Sequence, residues 1–256
     1  MDIAIVTGAS SGLGMEFARQ IGNTLKIDEI WLIARRKDRL EQLAKELKNS
    51  KGFVLQADLT KNRDIWKIVA KIKKEKPEIK LLVNNAGFGK FGMFRQVSFG
   101  HYMDMIDLNV KALVQLTYEA LPYMKRGSKI IQVASAAAYI PLPYNSVYAA
   151  TKSFVLSLTN ALAAELKSEG IHAMAVCPGP VNTEFFEVFS GGKLRKSLPG
   201  VQPREVVRTA LNDLKKNKWV SVHGMPMKAT ILATRIFPRK MFTLLAKGIE
   251  GRRQRK

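Results

Sequence analysis

Apolar positions along the chain fall into two alternating patterns. Short runs, dense in β-branched residues, occupy Ile3–Thr7, Ile30–Ala34, Phe53–Ala57, Leu81–Asn84, Lys129–Ser135, Ile171–Cys177 and Val220–Val222, and these read as strands. Between them, Gly12–Ile21, Arg39–Lys48, Ile65–Lys74, Asp104–Lys125, Tyr148–Ser168 and Glu205–Asn217 carry helical spacing, with Leu40, Leu43 and Leu47 sharing one face of the second helix. Gly127 and Gly170 follow the two longest helices as stop signals. Strands that are apolar nearly throughout must be covered on both faces. The pattern predicts an α/β chain with a doubly wound parallel sheet in three layers, α/β/α. Residues 1–224 read as one domain. A loop at about 183–203 and an extension at 225–256 are the two irregular regions, with Pro238 interrupting the extension.

The first strand runs into Thr7-Gly8-Ala9-Ser10-Ser11-Gly12-Leu13-Gly14. Glycine lets a backbone turn sharply and approach a pyrophosphate, and the following helix offers free N–H groups and a positive dipole end. The spacing Gly-x-x-x-Gly-x-Gly differs from the common dinucleotide fingerprint. An ordinary tight turn would look much the same, so the position at the first strand–turn–helix matters more than the glycines alone.

This turn resembles that of the short-chain dehydrogenase/reductase family, and the resemblance runs from about Asp2 to Thr183. Asp58-Leu59 after the third strand resembles the family's adenine contact. Asn84-Asn85-Ala86-Gly87 follows the fourth strand, Asn109 lies in Asp-Leu-Asn-Val, and Ser135 ends the fifth. Tyr148-Ala-Ala-Thr-Lys152 and Pro178-Gly179-Pro180-Val181 with Thr183 complete the ordered set. The resemblance implies a Rossmann-type sheet and a nicotinamide cofactor held by Gly8, Ser10, Ser11, Gly12, Leu13, Gly14, Asp58, Leu59, Asn85, Ala86, Gly87, Tyr148, Lys152, Pro178, Gly179, Val181 and Thr183. It implies that Asn109, Ser135, Tyr148 and Lys152 are catalytic, with Lys152 on the nicotinamide ribose and Asn109 anchoring a water on a proton path. It also implies a homodimer or homotetramer built through the two long helices. No metal is expected.

The second strand ends Ala34-Arg35-Arg36. An acid at the Ala34 position would favour NAD and repel a 2′-phosphate. Arg35, with Arg36 beside it, offers phosphate a planar donor fork, so NADP(H) is the expected cofactor. Two arginines on a basic protein could also be plain surface charge.

A free tyrosine, with a pKa of about 10, is a poor base at neutral pH, and a nearby ammonium lowers that value. Tyr148 and Lys152, four apart, share one helix face. Ser135 stands where open parallel sheets place ligand groups, able to hydrogen-bond a substrate oxygen. Each alone reads as ordinary structure: an interfacial tyrosine, a solvated lysine, a cap. Together they point to interconversion of a carbonyl and a secondary alcohol, with Tyr148 as general acid and base. Two other readings share the fold: a cofactor-sensing interaction protein without catalysis, and an epimerase or dehydratase.

Three apolar segments flank these residues: Phe88, Phe91, Met93 and Phe94; Ala136–Tyr144; and Phe185, Phe186, Val188 and Phe189. They predict a hydrophobic substrate such as an acyl chain, a steroid-like ring or a xenobiotic ketone. Core or subunit contacts would look similar.

Charge changes the picture at the C-terminus. Lys+Arg 42 against Asp+Glu 21 gives +21, and Leu214–Lys256 holds twelve of the cations and one acid, Glu250. Apolar pairs such as Ile231-Leu232, Ile236-Phe237 and Leu244-Leu245 interleave with this charge, a pattern suited to peripheral contact with anionic membrane or to a lid or oligomer contact. No nucleic-acid motif is present, so no specific nucleic-acid partner is expected. The lone Cys177 allows no intrachain disulfide, the N-terminus enters a strand without a leader pattern, and no apolar run reaches the ~20 residues that cross a bilayer, so a cytoplasmic, membrane-peripheral location is expected.

Overall fold

The structure, a computed structural model, describes residues 1–190 and 200–254, without the side chains of 190 and 249–254. Its centre is a seven-stranded sheet, every pair parallel, in the order β3-β2-β1-β4-β5-β6-β7. The strands are β1 (Asp2–Thr7), β2 (Glu29–Ala34), β3 (Lys51–Gln56), β4 (Glu78–Asn84), β5 (Lys129–Val133), β6 (His172–Val176) and β7 (Val220–Ser221). Alternate side chains enter opposite cores. Ala4, Val6, Ile30 and Leu32 pack on one face, and Ile3, Ile5, Trp31 and Ile33 on the other. Both faces are buried, which is why these strands lack a polar side.

Helices α1 (Gly12–Thr24), α2 (Lys37–Glu46) and α3 (Asn62–Glu75) follow the first three strands. After β4 come α4 (Phe99–Ile106), a π-helical stretch at Asp107–Ala112, and α5 (Leu113–Ala120) with a closing 3-10 turn at Leu121–Tyr123. Sequence periodicity places this helix at Asp104–Lys125. It starts earlier because the Ser98 hydroxyl accepts a hydrogen bond from His101 N–H and caps it. Next are α6 (Ser146–Glu165), α7 (Phe185–Ser190) and α8 (Pro203–Lys215), the last opened by a Gln202/Glu205 capping box.

The extension beyond Gly224 is not irregular, contrary to the sequence expectation. It forms α9 (Met225–Ile236) and α10 (Arg239–Gln254), broken at Pro238 as expected. Ile231 and Thr234 bury one face of α9. The expected irregular loop likewise begins with a helix, α7; its residues 191–199 lie outside the described residues, as do the side chains of the terminal basic cluster.

Consecutive connections run to opposite sides of β1, so the strand order reverses between β1 and β4. The carboxyl ends of the strands part there and leave a crevice, where open α/β sheets bind ligands.

Candidate active site

The crevice begins at the glycine turn. Gly8 and Gly12 adopt φ of +67° and +56°, a left-handed backbone that side chains resist. A Cβ on Gly8 would stand 2.6 Å from Asn85 Nδ2, and one on Gly12 3.1 Å from Thr183 Cγ2. The turn is pinned across the switch point. Thr7 Oγ1 accepts from the N–H groups of Asn85 at 2.9 Å and Ala86 at 3.0 Å, and Asn85 Nδ2 donates to the Thr7 carbonyl at 2.9 Å. The Asn85 Nδ2 is thereby used to hold the turn, while the residue still lines the crevice. Gly14 also serves from below: it is buried against the Gly8 carbonyl and does not reach the crevice.

At the far end of β2, Ala34 is buried and Arg35 is exposed along the crevice wall. Arg36 donates from Nε to Ser10 Oγ at 3.3 Å and pairs with Glu184 at 2.7 Å. Asp58 Oδ1 accepts from Thr60 N–H and Oγ1 at 3.1 and 2.8 Å, fixing the chain after β3.

The candidate catalytic groups collect past β4 and β5. The fifth strand stops at Val133 rather than at Ser135, because Ala134 N–H turns back to the Gln132 carbonyl at 3.1 Å. Ser135 then caps a short 3-10 turn, accepting from Ala137 N–H at 3.1 Å. Its hydroxyl lies on the Tyr148 side of the same crevice, where it favours the charged form of the phenol. Tyr148 sits in the first turn of α6 and Lys152 one turn on, 4% exposed, with Nζ donating to the Val133 carbonyl at 2.7 Å. Nζ lies 5.9 Å from the centre of the Tyr148 ring.

Burial sets the proton affinities here. It pushes the Tyr148 phenol up to about 12, opposed by the neighbouring Ser135 hydroxyl, and presses Lys152 down to about 8. The expectation that the ammonium lowers the phenol is not met. Lys152 is itself desolvated and turned toward a carbonyl, so desolvation outweighs attraction. The phenol is held as a neutral acid, the form that can give a proton to a carbonyl oxygen.

Asn109 is 1% exposed in the π-helical stretch and does not line the crevice. Its Oδ1 accepts from Phe88 N–H at 3.0 Å, and its Nδ2 donates to the Phe88 carbonyl at 2.9 Å and Thr151 Oγ1 at 3.1 Å. With these bonds it fastens the segment after β4 to α6. A Cβ on Gly87 would meet Asn109 Oδ1 at 2.9 Å and Lys152 Nζ at 3.3 Å, so this glycine lets the two elements close. Apart from Asn109 and Gly14, every residue named from the sequence for catalysis or for the cofactor lines one cavity of about 1040 Å³.

The apolar segments converge in part. Phe185 and Phe189 set their rings 5.6 and 6.1 Å from that of Tyr148, and Phe91 bridges Tyr144 at 5.8 Å and Phe189 at 5.9 Å. Met93 and Phe94 do not join them: both are exposed, and Phe94 stacks on Tyr102 instead. The sequence reading missed the other wall, where Met227, Thr230, Ile231 and Thr234 of α9 face the cavity. A Cβ on Gly179 would run into the Met227 Cε, so this helix lies directly on the Pro-Gly segment. Thr151 and Glu184 were missed as well. Among the described residues, no group of His, Cys, Asp and Glu suits a metal ion.

Comparison with known proteins shows the family and the fold. The short chain dehydrogenase family model matches residues 2–192. Sulfoacetaldehyde reductase 2 of Chromohalobacter salexigens is 33% identical over 199 residues, covering 75% of this chain and 77% of that protein. A short-chain dehydrogenase from Sphingobium yanoikuyae, solved in complex with NADPH, superimposes with a TM-score of 0.80 at 29% identity, over 92% of this chain and 94% of that one. The bulky-bulky ketone specific alcohol dehydrogenase from Comamonas testosteroni gives a TM-score of 0.75 at 27% identity, over 92% of both chains.

Proposed function

Since this chain belongs to the short-chain dehydrogenase/reductase family and is thereby an oxidoreductase of alcohol and carbonyl groups, we propose that it is an NADPH-dependent reductase of hydrophobic ketones, run in either direction through Tyr148. The observation that carries this reading is one cavity in which the Ser135 hydroxyl, the Tyr148 phenol, a buried amine and an aromatic wall adjoin a cradling glycine turn.

The residues fit a nicotinamide dinucleotide. Gly8 and Gly12 leave room where side chains would collide, and Arg35 and Arg36 face the cavity with no acid at Ala34. The pyrophosphate would lie on Ser10–Leu13, the adenine near Asp58 and Leu59, and the nicotinamide ribose near Lys152. When bound, the cofactor supplies or takes the hydride. The protein's own part is to orient and to move a proton. Ser135 and Tyr148 hydrogen-bond the substrate oxygen, and Tyr148, neutral at physiological pH, donates its proton as the alkoxide charge develops. Lys152 holds a positive charge next to the resulting tyrosinate. Asn109 acts at one remove, by positioning Phe88, Gly87 and Thr151. The NADPH complex of the Sphingobium enzyme and the bulky-ketone specificity of the Comamonas enzyme favour the same cofactor and substrate class.

A panel of ketones and alcohols with NADPH and NADH side by side tests the reading. Turnover of bulky apolar ketones with NADPH is expected; a preference for small charged sugars overturns the substrate class. Net consumption of NADPH also separates this function from epimerisation and from cofactor sensing.

For partners, we infer that the outer face of α9 and α10 rests on anionic bilayer. Leu232, Ile236, Phe237, Leu244 and Leu245 are exposed there beside Lys228, Arg235, Arg239, Lys240 and Lys247. No helix among the described residues is long and apolar enough to cross a membrane. Co-sedimentation with phosphatidylserine vesicles, but not neutral ones, at low salt is the expected result. Exposed Met103, Ile106, Val114 and Tyr118 on the α4–α5 face support self-association, which sedimentation velocity would report.

A further inference from the structure

Glu184 is an acid that the proposed reaction does not use. Both of its oxygens are taken by arginine: Oε2 by Arg36 Nη1 at 2.7 Å and Oε1 by Arg39 Nη1 at 2.5 Å. These bonds to Arg39 and Arg36 hold its carboxyl below the usual range. The three side chains are 38–44% exposed, so the pairs can exchange with a ligand from solution. Arg36 is also the neighbour of Arg35 at the end of β2 and reaches Ser10 on the glycine turn at 3.3 Å.

A 2′-phosphate arriving at that strand end brings two negative charges to a guanidinium that already serves a carboxylate. Planar donor forks are shared poorly between two anions, and the anions repel each other. Glu184 also stands directly before α7, whose Phe185 and Phe189 lie against the Tyr148 ring. One short segment therefore touches the arginines at one end of the cavity and the phenol at the other.

We propose that Glu184 is a specificity-determining residue, an internal competitor that holds Arg36 until the 2′-phosphate of NADPH displaces it. The proposal rests on the NADPH reading above. Glu184 limits the preference for the phosphorylated cofactor below what the bare arginines would give. NADH, without the phosphate, leaves the Glu184 pairs in place. Displacement by NADPH loosens the tether at the start of α7 beside Tyr148.

Calorimetric titration of the full chain and its Glu184→Gln variant with adenosine 2′,5′-bisphosphate and with 5′-AMP tests this. Glutamine keeps the shape and removes the charge. The variant should bind the bisphosphate about fivefold tighter, in line with the worth of a partly exposed ion pair, while 5′-AMP changes less than about twofold. The gain should fade as salt screens the charges. It should also vanish when Arg36→Met is added, because the competitor then has nothing to release. An equal shift for both nucleotides, or weaker bisphosphate binding, would overturn the proposal and make Glu184 an organiser of the arginines. If the unaltered protein does not prefer the bisphosphate at all, the NADPH reading falls together with the proposal. If it does prefer it and the variant matches it, only the Glu184 proposal falls.

Discussion

The two ends of the cavity are built on different principles. The proposed cofactor end is centred on backbone: a glycine turn, held by Thr7 and Asn85, with Arg35 and Arg36 at its outer edge. The proposed substrate end is made of side chains from four separate segments, after β4, before α6, along α7 and along α9. A pyrophosphate is the same in every substrate pairing, so a fixed backbone cradle suffices. A variable apolar partner is met by rings and methyl groups, which can be changed without disturbing the sheet. Tyr148 and Lys152 stand at the junction, on a helix packed against the strand ends.

Breaking the junction should cost most. Tyr148→Phe removes the transferable proton and leaves the cradle intact, so turnover should drop by about 10²–10⁴-fold with cofactor affinity kept. Ketone reduction within tenfold of normal would separate the phenol from the chemistry. Next in size is a stability effect. Lys152 titrates at about 8 in the folded chain, below its ordinary value of 10.5. Between those pH values the unfolded chain carries the extra proton, so stability from this group rises with pH through the window, and below it the burial penalty is complete. Lys152→Met should therefore be the more stable protein at pH 7, by on the order of 2 kcal/mol after loss of the Val133 bond. That advantage should shrink between pH 8 and 10.5, as read by denaturant unfolding; a difference flat in pH would show that the amine is solvated.

The remaining two substitutions divide the ends. Arg35→Asp should weaken NADPH by about tenfold or more, through loss of a charge-assisted contact and added repulsion, with a smaller effect on NADH. Equal weakening of both would remove Arg35 from the phosphate site. Ile231→Val trims the α9 wall by one methylene and should raise KM for a bulky ketone by about fivefold, leaving the cofactor KM unchanged. A change in cofactor KM instead would mean that α9 supports the cradle and not the substrate wall.

The sequence was most legible where chemistry is local. Each strand could be placed because both-face burial writes a dense apolar run, and the glycine turn and the Tyr148–Lys152 spacing are contained within a few residues. Element ends were less legible. The cap at Ser98 precedes Phe99-Gly100-His101, which shows no helical stripe, and Ser135 looked like strand although the backbone had already turned at Ala134. α9 was read only as part of a partly amphipathic extension and not as a cavity wall, because a polar residue, Thr234, faces inward while Leu232 and Ile236 face outward. No spacing rule could join Glu184 to Arg36, 148 positions apart. Nor could spacing give the direction of the Tyr148 shift, since it reports nearness and not desolvation.

The π-helical stretch at Asp107–Ala112 has a further consequence. A wider turn stores a residue more than an α-helix needs over the same length. Deleting a single amino acid there would let the helix relax to ordinary winding while the two flanks stay in register, because the wide turn had already absorbed the extra residue. Asn109 would then lose its place opposite Phe88, whereas Met103 and Ile106 would keep their flank with Val114. One missing codon would disarm the centre and spare the outward face, so turnover should be lost while self-association persists.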